Sequence, residues 1–285
     1  MLNTLDLFAG IGGFSLGLER TGGFRTVAFC EIDKKAQRVL NKHWPDTPIF
    51  DDVSALTKDL LDETVGVPVH VITGGFPCQD LSTAGRGAGL EGERSSLWFQ
   101  LLRLIDEIRP RYAIIENVSA LRSRGLEVVL QGINAVGYRA EWHCIPASFL
   151  GAHHQRDRIW IVAYPDSSLE QGDGLPSGVH AQNARAWVGG SETVSLADTQ
   201  RIGLSGSGEL EQPSYPAPLV DWKAVESFYG RVGQIWGAEP DVGRVAHGIP
   251  NRVDRLKQLG NAVVPQIPQL LGEAILDWEK ARVAA

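Results

Sequence analysis

Residues 6–14 read DLFAGIGGF, and they say most about how this chain folds. Their apolar start predicts a strand, the glycines at positions 10, 12 and 13 predict a tight turn, and Phe14 begins a helix-like segment. A turn of this kind lets the backbone approach a ligand closely. Because the spacing lacks the third glycine of the dinucleotide-binding fingerprint, an ordinary strand-to-helix turn stays open as the alternative.

Strand-like and helix-like segments alternate outward from this turn over the first 165 residues. The predicted strands are Leu5–Ala9, Val27–Ile32, Val69–Thr73, Tyr112–Glu116, Arg139–Ile145 and Ile159–Tyr164. The predicted helices are Phe14–Arg20, Lys34–His43, Ser96–Ile108, Leu126–Val136 and, near the C terminus, Gln266 to about Lys280. This order predicts an α/β fold with a parallel, doubly wound sheet. Since only a loop separates the last two strands, we expect them to form an antiparallel hairpin at one end of the sheet.

The character of the chain changes at Pro165. Residues 165–256 are rich in Gly, Ser, Pro and acidic residues over their first part and show little periodicity. This predicts a small irregular domain, with a disordered linker as the alternative. We therefore predict a catalytic and cofactor-binding domain of residues 1–164 plus 257–285, and a second domain of residues 165–256.

Composition limits the classes of function. The formal net charge of −7 argues against general polyanion binding but permits a local basic cleft. The three cysteines are odd in number and widely spaced, so they form neither a disulfide framework nor a zinc pattern. No signal-peptide core and no apolar run long enough for a membrane span is visible. We therefore expect a cytoplasmic protein without a membrane partner.

A thiol follows the third predicted strand. Residues 73–82 read TGGFPCQDLS, and small residues before Cys78 give it the open approach that a nucleophile needs. The alternative is that Cys78 is a small apolar core residue. Glu116 ends the next strand, and in a parallel sheet both residues leave carboxyl ends, where ligands bind. A thiol and a carboxyl in one cleft suggest a nucleophile and an acid that holds a proton.

Further charged residues complete the candidate site. Glu31 lies at the end of the second predicted strand, where an acidic side chain can bind ribose hydroxyls, and Asp52 could bind an exocyclic amine. For each of these acids, a helix N-cap or a solvated loop end is the alternative. Arg156 and Arg158 lie on one side of the last strand and could bind phosphate or a carbonyl oxygen, or pair with Asp157. We predict no metal, because the adjacent histidines before Gln155 point to opposite faces and have no third ligand.

Five short motifs of this sequence resemble those of the DNA (cytosine-5)-methyltransferase family of bacterial and phage type, and they follow one another in the same order as in that family. The likeness covers residues 3–164 and 256–278. In the order of the family, the motifs are the cofactor loop (6–13, DLFAGIGG), the nucleophile loop (75–79, GFPCQ), the acid motif (116–118, ENV), the arginine motif (155–158, QRDR) and the C-terminal motif (260–265, GNAVVP).

The resemblance implies a Rossmann-like, S-adenosylmethionine-dependent methyltransferase sheet with a small, irregular target-recognition domain. It also implies an S-adenosylmethionine pocket. The residues that would form this pocket are Phe8, Gly10, Gly12, Glu31, Ile32, Asp52, Val53, Leu97 and Asn261. The final helix would return to the first domain, which explains its apolar face.

The same resemblance implies the chemistry. Cys78 would attack C6 of a cytosine flipped out of double-stranded DNA, Glu116 would hold N3, and Arg158 would bind O2 with Arg156 beside it. In the loop that follows the nucleophile, Gln79 and Ser82 would approach the gap left by the base. Arg86 would contact phosphate; a surface position without DNA contact is its alternative.

Three other functions are alternatives to DNA methylation. A tRNA cytosine-5 methyltransferase has similar motifs, but that branch carries a Cys-Phe-Thr element that this sequence lacks. A non-catalytic DNA-binding module would not need Cys78, Glu116 and Arg158, and a nicotinamide-dependent oxidoreductase leaves Cys78 unexplained. We expect a monomer, since one flipped base needs one site. The family type also admits a cognate restriction endonuclease as a functional, not a physical, partner.

Overall fold

The computed structural model describes residues 1–77, 96–152, 154–166 and 258–284. The strands are β1 (Leu2–Leu7), β2 (Phe24–Cys30), β3 (Ile49–Phe50), β4 (Val71–Gly74), β5 (Tyr112–Val118), β6 (Tyr138–Pro146) and β7 (Asp157–Pro165). The helices are α1 (Gly13–Glu19), α2 (Lys34–His43), α3 (Lys58–Val65), α4 (Ser96–Ile108), α5 (Leu121–Arg124), α6 (Leu126–Ala135) and α7 (Gln266–Ala284), with a 3-10 turn at Ala147–Leu150.

The seven strands form one sheet in the order β3-β2-β1-β4-β5-β7-β6. The five strands β1 to β5 are parallel to one another, and β7 pairs antiparallel with both β5 and β6. The predicted α/β class and the predicted antiparallel hairpin at one end of the sheet are confirmed. From β1 the chain adds β2 and β3 on one side, and it then adds β4 and β5 on the other side. Open α/β sheets bind ligands at the carboxyl edge where the strand order changes sides in this way, here between β1 and β4.

Apolar side chains cover both faces of the sheet, because central parallel strands are buried on both sides. One face packs against α3, α4 and α6 through residues such as Leu61, Leu101 and Val129. The other face packs against α1 and α7, where Leu271 and Ile275 recur at helical spacing. The C-terminal helix therefore packs, together with α1, on the sheet that the N-terminal part of the chain forms.

The sequence prediction lacks strand β3, helices α3 and α5, and the 3-10 turn at Ala147–Leu150. Strand β3 has only two residues, too few to show alternation. Helix α3 buries a single side chain, Leu61, so it carries little apolar periodicity. Its ends are nonetheless marked, since the Thr57 side chain accepts a hydrogen bond from the Leu60 amide and Gly66 closes the helix in a left-handed conformation.

The first strand is shifted toward the N terminus relative to the prediction. It begins at Leu2, which pairs with Phe24, and ends at Leu7 because Phe8 adopts a φ of 54°. The predicted second domain, residues 165–256, lies almost wholly outside the described residues. Among the helices that the structure describes, none combines the length and the apolar character needed to span a bilayer.

Candidate active site

The turn after β1 is built from backbone in left-handed conformations. Phe8, Gly10 and Gly12 have φ values of 54°, 56° and 84°. The Gly10 amide donates a hydrogen bond of 2.7 Å to Oε2 of Glu31, and Oε1 of Glu31 accepts one of 2.8 Å from the amide of Asp33, the N-cap of α2. The Glu31 carboxylate thus lies at the turn, where the sequence places it, and joins the ends of β1 and β2.

The glycines of this turn have different surroundings. A Cβ on Gly12 would lie 2.6 Å from the ring of Trp44, and a Cβ on Gly13 would lie 2.5 Å from the carbonyl oxygen of Val263. A Cβ on Gly10 would meet nothing within 4 Å. Gly12 and Gly13 are therefore required by the protein's own packing, and Gly10 is the position of this turn that faces open space.

The other predicted pocket residues differ in their exposure and in which of their atoms a ligand could contact. Ile32 leaves 76% of its surface exposed, so an apolar face lies free beside Glu31. Oδ1 of Asp52 accepts a hydrogen bond of 2.8 Å from the Ser54 amide in an exposed turn, whereas the N-cap of the next helix, α3, is Thr57. The Val53 side chain is buried, so a ligand could reach only its backbone. Leu97 is partly buried against the core.

Two side chains that the sequence does not single out hold the loops of this pocket. Nε2 of Gln37 donates to the carbonyl oxygen of Glu31 and, at 2.8 Å, to Oδ1 of Asp51. Nη2 of Arg103 donates to the carbonyl oxygens of Val53 at 3.0 Å and Leu56 at 2.9 Å. Arg103 thus binds main-chain carbonyls of a distant segment, whereas Gln37 binds the carbonyl of the nearby Glu31 and the side chain of Asp51. Neither residue type has a sequence pattern that marks such a role.

Glu116 and Arg158 form the charged pair of the catalytic side. Nε of Arg158 lies 2.8 Å from Oε1 of Glu116, with 22% and 14% of the two side chains exposed. Glu116 is paired with Trp160 and Val118 with Arg158 in the β5–β7 ladder, so the two charged side chains share one face of the sheet. Nη1 of Arg158 donates to the Asp157 carbonyl at 2.8 Å.

The segment leading to Cys78 passes directly over Glu116. A Cβ on Gly75 would lie 2.9 Å from Oε2 of Glu116, so only glycine fits there without displacing the carboxyl. Nδ2 of Asn117, a residue 3% exposed, donates a hydrogen bond of 2.9 Å to the Phe76 carbonyl. The Asn117 hydrogen bond thus holds Phe76 against the end of β5, and Gly75 passes close to the Glu116 carboxyl. Cys78, with Gln79, Ser82 and Arg86, lies outside the described residues.

The protonation of Glu116 reflects two opposing influences. Burial, the larger influence, raises the pKa of its carboxyl, while the charges of Arg158 and Arg156 and the hydrogen bond from Arg158 lower it. The net shift is upward. The carboxyl therefore keeps its proton to a higher pH than a solvated glutamate would.

Arg156 is placed differently from the sequence expectation. Its Nη1 and Nη2 donate hydrogen bonds of 2.6 Å to the carbonyl oxygens of Gly260 and Ala262. These contacts turn the guanidinium toward the C-terminal motif, where Asn261 is exposed between the two carbonyls. The two arginines, expected side by side on the base, bind different parts of the chain.

A buried carboxyl, that of Asp6, joins the two sides of the site and is not predicted. Its Oδ2 accepts a hydrogen bond of 2.8 Å from Ser15 on α1, and its Oδ1 one of 2.7 Å from Thr73 on β4. An acidic residue inside an apolar strand is the signal that could have identified it. Within the described ranges, no group of three or more His, Cys, Asp or Glu side chains could hold a metal ion.

The chain is similar to a known protein family and to several named proteins. Residues 2–191 match the model of the C-5 cytosine-specific DNA methylase family. The Type II methyltransferase M.CviJI of Paramecium bursaria Chlorella virus IL3A is 38% identical over 161 residues, 56% of this chain and 42% of that protein. The Type II methyltransferase M2.BsuMI of Bacillus subtilis (strain 168) is 28% identical over 302 residues, 95% of this chain and 75% of that protein.

Among solved structures, a candidate DNA modification methyltransferase encoded within a prophage (E. coli) has a TM-score of 0.51 and 28% identity, over 61% of this chain and 49% of that one. The chain spans less than half the length of M.CviJI. The family match, however, takes in well over half of this chain, since it covers 190 residues (2 to 191) of 285. The chain therefore belongs to the C-5 cytosine-specific DNA methylase family.

Proposed function

We propose that this protein is a DNA (cytosine-5)-methyltransferase, which transfers a methyl group from S-adenosylmethionine to C5 of a cytosine flipped out of duplex DNA. The observation that carries the proposal is the Glu116–Arg158 pair beside the segment that leads to Cys78. A carboxyl that retains its proton suits N3 of a pyrimidine, and a guanidinium suits the neighbouring O2. Cys78 would supply the nucleophile.

In this mechanism the Cys78 thiolate attacks C6, forming a sulfur–carbon bond and pushing the electrons of the C5–C6 double bond into the ring. Glu116 holds the proton at N3 and Arg158 binds O2, so the charge that develops there is stabilised. The burial that raises the pKa of Glu116 favours this role. When bound, S-adenosylmethionine supplies the methyl group that C5 accepts, after which loss of the C5 proton lets the thiolate leave.

The turn after β1 fits the proposed cofactor. Gly10 faces open space, the Glu31 carboxylate lies beside it, and the exposed Ile32 offers an apolar surface to an adenine ring. Phe8, Gly12, Asp52, the Val53 backbone, Leu97 and Asn261 complete the proposed pocket. A carboxylate at the end of the second strand is suited to ribose hydroxyls.

The proposal extends to the partner and the target. Double-stranded DNA would enter beside Gln79, Ser82 and Arg86, and residues 165–256 would form the target-recognition domain. The protein would act as a monomer in the cytoplasm. Because the relatives M.CviJI and M2.BsuMI are named Type II methyltransferases, a cognate restriction endonuclease is proposed as its functional partner.

The first test is transfer of tritiated methyl groups from S-adenosylmethionine, with duplex DNA of mixed sequence and bulk tRNA offered in parallel. We expect counts in DNA alone. Counts confined to tRNA would make the protein an RNA methyltransferase, and counts in neither, with DNA still bound, would make it a binding module.

The second test concerns the nucleophile. Cys78→Ser should abolish turnover and the covalent complex with DNA that contains 5-fluorocytosine, because a hydroxyl is a much weaker nucleophile than a thiolate. Cys144→Ser is the matched control, since Cys144 is a partly exposed thiol on β6. A Cys78→Ser protein that still forms the complex on a denaturing gel would assign the nucleophile to another residue.

A further inference from the structure

We propose that Arg156 is a positioning residue for the cofactor, which it serves through the C-terminal motif rather than by contact with the cytosine. The inference rests on the proposed function for the identity of the cofactor. Both terminal nitrogens of its guanidinium are engaged at 2.6 Å, one by the Gly260 carbonyl and one by the Ala262 carbonyl. The planar, fork-shaped guanidinium group of arginine can donate to two separate acceptors such as these carbonyl oxygens, whereas the ammonium group of lysine does not match this geometry.

The backbone of Arg156 supports a fixed role. Its φ of 38° lies in the left-handed region, which costs energy for a residue with a Cβ. Such a conformation persists when the surrounding contacts determine it. The two carbonyl contacts, made to a segment 104 and 106 residues further along the chain, supply that constraint and join the chain on either side of residues 167–257.

The segment that Arg156 holds lies against the proposed cofactor site. A Cβ on Gly13 would lie 2.5 Å from the Val263 carbonyl, and a Cβ on Gly17 would lie 2.1 Å from the Pro265 carbonyl. Residues 263–265 therefore fit against the start of α1 with no spare room. Asn261, between the two carbonyls bound by Arg156, is carried by the same segment.

The neighbouring Arg158 contacts a different part of the site. Its Nε binds Glu116 at 2.8 Å, whereas Arg156 has no hydrogen bond to Glu116 among the described residues and influences its pKa only through charge. Of the two arginines of this motif, Arg158 thus binds the residue proposed to hold the cytosine, and Arg156 binds the segment beside the proposed cofactor pocket. Loss of the Arg156 fork should weaken cofactor binding while leaving attack on C6 intact.

The experiment uses Arg156→Lys, which keeps the positive charge and removes the fork. We expect the Kd for S-adenosylmethionine, measured by calorimetry, to rise about 10-fold, the scale of one lost charge-assisted contact. Attack on C6 is followed separately as the exchange of C5 tritium from labelled cytosine in duplex DNA without cofactor, and this rate should change less than about 3-fold, within what a retained charge preserves.

Two comparison variants sharpen the result. Arg158→Lys should give the opposite pattern, with slower exchange and an unchanged Kd, and the exposed Arg25→Lys should change neither quantity. Slower exchange with an unchanged Kd in Arg156→Lys would overturn the proposal and place this residue on the base. A lower unfolding temperature with both quantities unchanged would overturn it too.

A variant that leaves Arg156 untouched gives an independent test. Gly17→Ala must displace the Pro265 carbonyl, which lies 2.1 Å from the Cβ position, and the substitution is one helical turn beyond Gly13. It should also weaken S-adenosylmethionine binding while C5 exchange continues. Unchanged affinity in both Gly17→Ala and Arg156→Lys would remove the C-terminal motif from cofactor positioning. Failure of the unaltered protein to bind S-adenosylmethionine would instead refute the proposed function.

Discussion

The turn after β1 and the end of β5 lie at the same edge of the sheet but are held in place by different means. Left-handed backbone and close packing around glycines fix the turn, with Trp44 against Gly12 and Val263 against Gly13. Side-chain charge and hydrogen bonding fix the end of β5 through Glu116 and Asn117. Substitutions at the turn should therefore act through shape, and those at β5 through protonation and rate.

The largest effect is expected at Glu116. Glu116→Gln keeps the shape of the side chain but removes its acidic proton, and we expect kcat to fall about 10³-fold, as when a group that stabilises transition-state charge is lost. Cofactor affinity, which depends on the turn, should not change. In the unaltered protein kcat should fall at high pH, when Glu116 loses its proton. Because burial raises the pKa of Glu116, this fall should occur at a higher pH than it would for a solvated glutamate.

The measurement for Glu116 is the pH profile of single-turnover methyl transfer. The high-pH fall should be missing in Glu116→Gln and retained in the control Glu127→Gln, an exposed carboxyl on α6. A Gln variant with unchanged kcat, or with the same high-pH fall as the unaltered protein, would contradict an acid role for Glu116.

The second effect belongs to the turn and should be independent of pH. Gly12→Ala places a methyl group 2.6 Å from the Trp44 ring in a left-handed conformation, and we expect about 3 kcal/mol less stability toward urea, from overpacking and backbone strain together. Gly22→Ala is the matched control, because Gly22 has a φ of 73° and nothing within 4 Å of its Cβ position.

The difference between the two alanine variants isolates the Trp44 contact. Gly22→Ala should cost about 1 kcal/mol, the strain alone. Equal losses in the two variants would mean that the Trp44 ring moves away freely, and that the turn is not held by shape. Loss of cofactor binding in Gly12→Ala without loss of stability would mean that Gly12 acts on the cofactor alone and not through the Trp44 contact.

The third effect tests how the nucleophile segment is held. Asn117→Ala removes the hydrogen bond to the Phe76 carbonyl and leaves that buried oxygen unsatisfied, so methyl transfer should slow about 10-fold with a small loss of stability. Asn134→Ala, at an exposed position on α6, is the control. The readout is the rate at which 5-fluorocytosine DNA is trapped. Unchanged trapping in Asn117→Ala would show that the amide does not position the segment that leads to Cys78.

The residues also show what sequence can predict. Alternating strands and helices predict the α/β sheet and its terminal hairpin, since apolar periodicity and short connections are local properties. The motifs mark Glu116 and Arg158 as candidate site residues, but the ion pair between them is seen only in the structure. The motifs also do not predict that Arg156 turns to Gly260, because that contact depends on how two segments 104 residues apart meet.

The side chains that hold the loops are harder to predict for the same reason. Gln37 and Arg103 bind main-chain carbonyls, and any chain segment offers such carbonyls. Their roles arise only when the fold brings the segments together. Gly12 illustrates a related limit: a glycine in a strand-to-helix turn suggests a ligand, while the structure places the Trp44 ring against it.

The fourth effect concerns Asp6, which lies between the two regions. Burial raises the pKa of its carboxyl to about 7 from an ordinary value of 3.8, and the nearby charge of Glu31 adds to the rise. Between about pH 4 and pH 7 the folded protein therefore keeps a proton that the unfolded chain has released. The contribution of Asp6 to the free energy of unfolding should fall as pH rises through that window, by at most about 1.4 kcal/mol per unit, and level off above it.

Asp6→Asn cannot titrate, so it isolates this contribution. The stability of the unaltered protein minus that of Asp6→Asn, from urea unfolding at pH 5, 6, 7 and 8, should fall between pH 5 and 7 and then level off. Asp46→Asn, which alters an exposed carboxyl, is the control for the substitution itself. A flat difference for Asp6→Asn would mean that its carboxyl is ionised in the folded protein. The hydrogen bonds from the Ser15 and Thr73 hydroxyls, which join α1 to β4 through Asp6, would then be made to a charged carboxylate rather than to a protonated carboxyl.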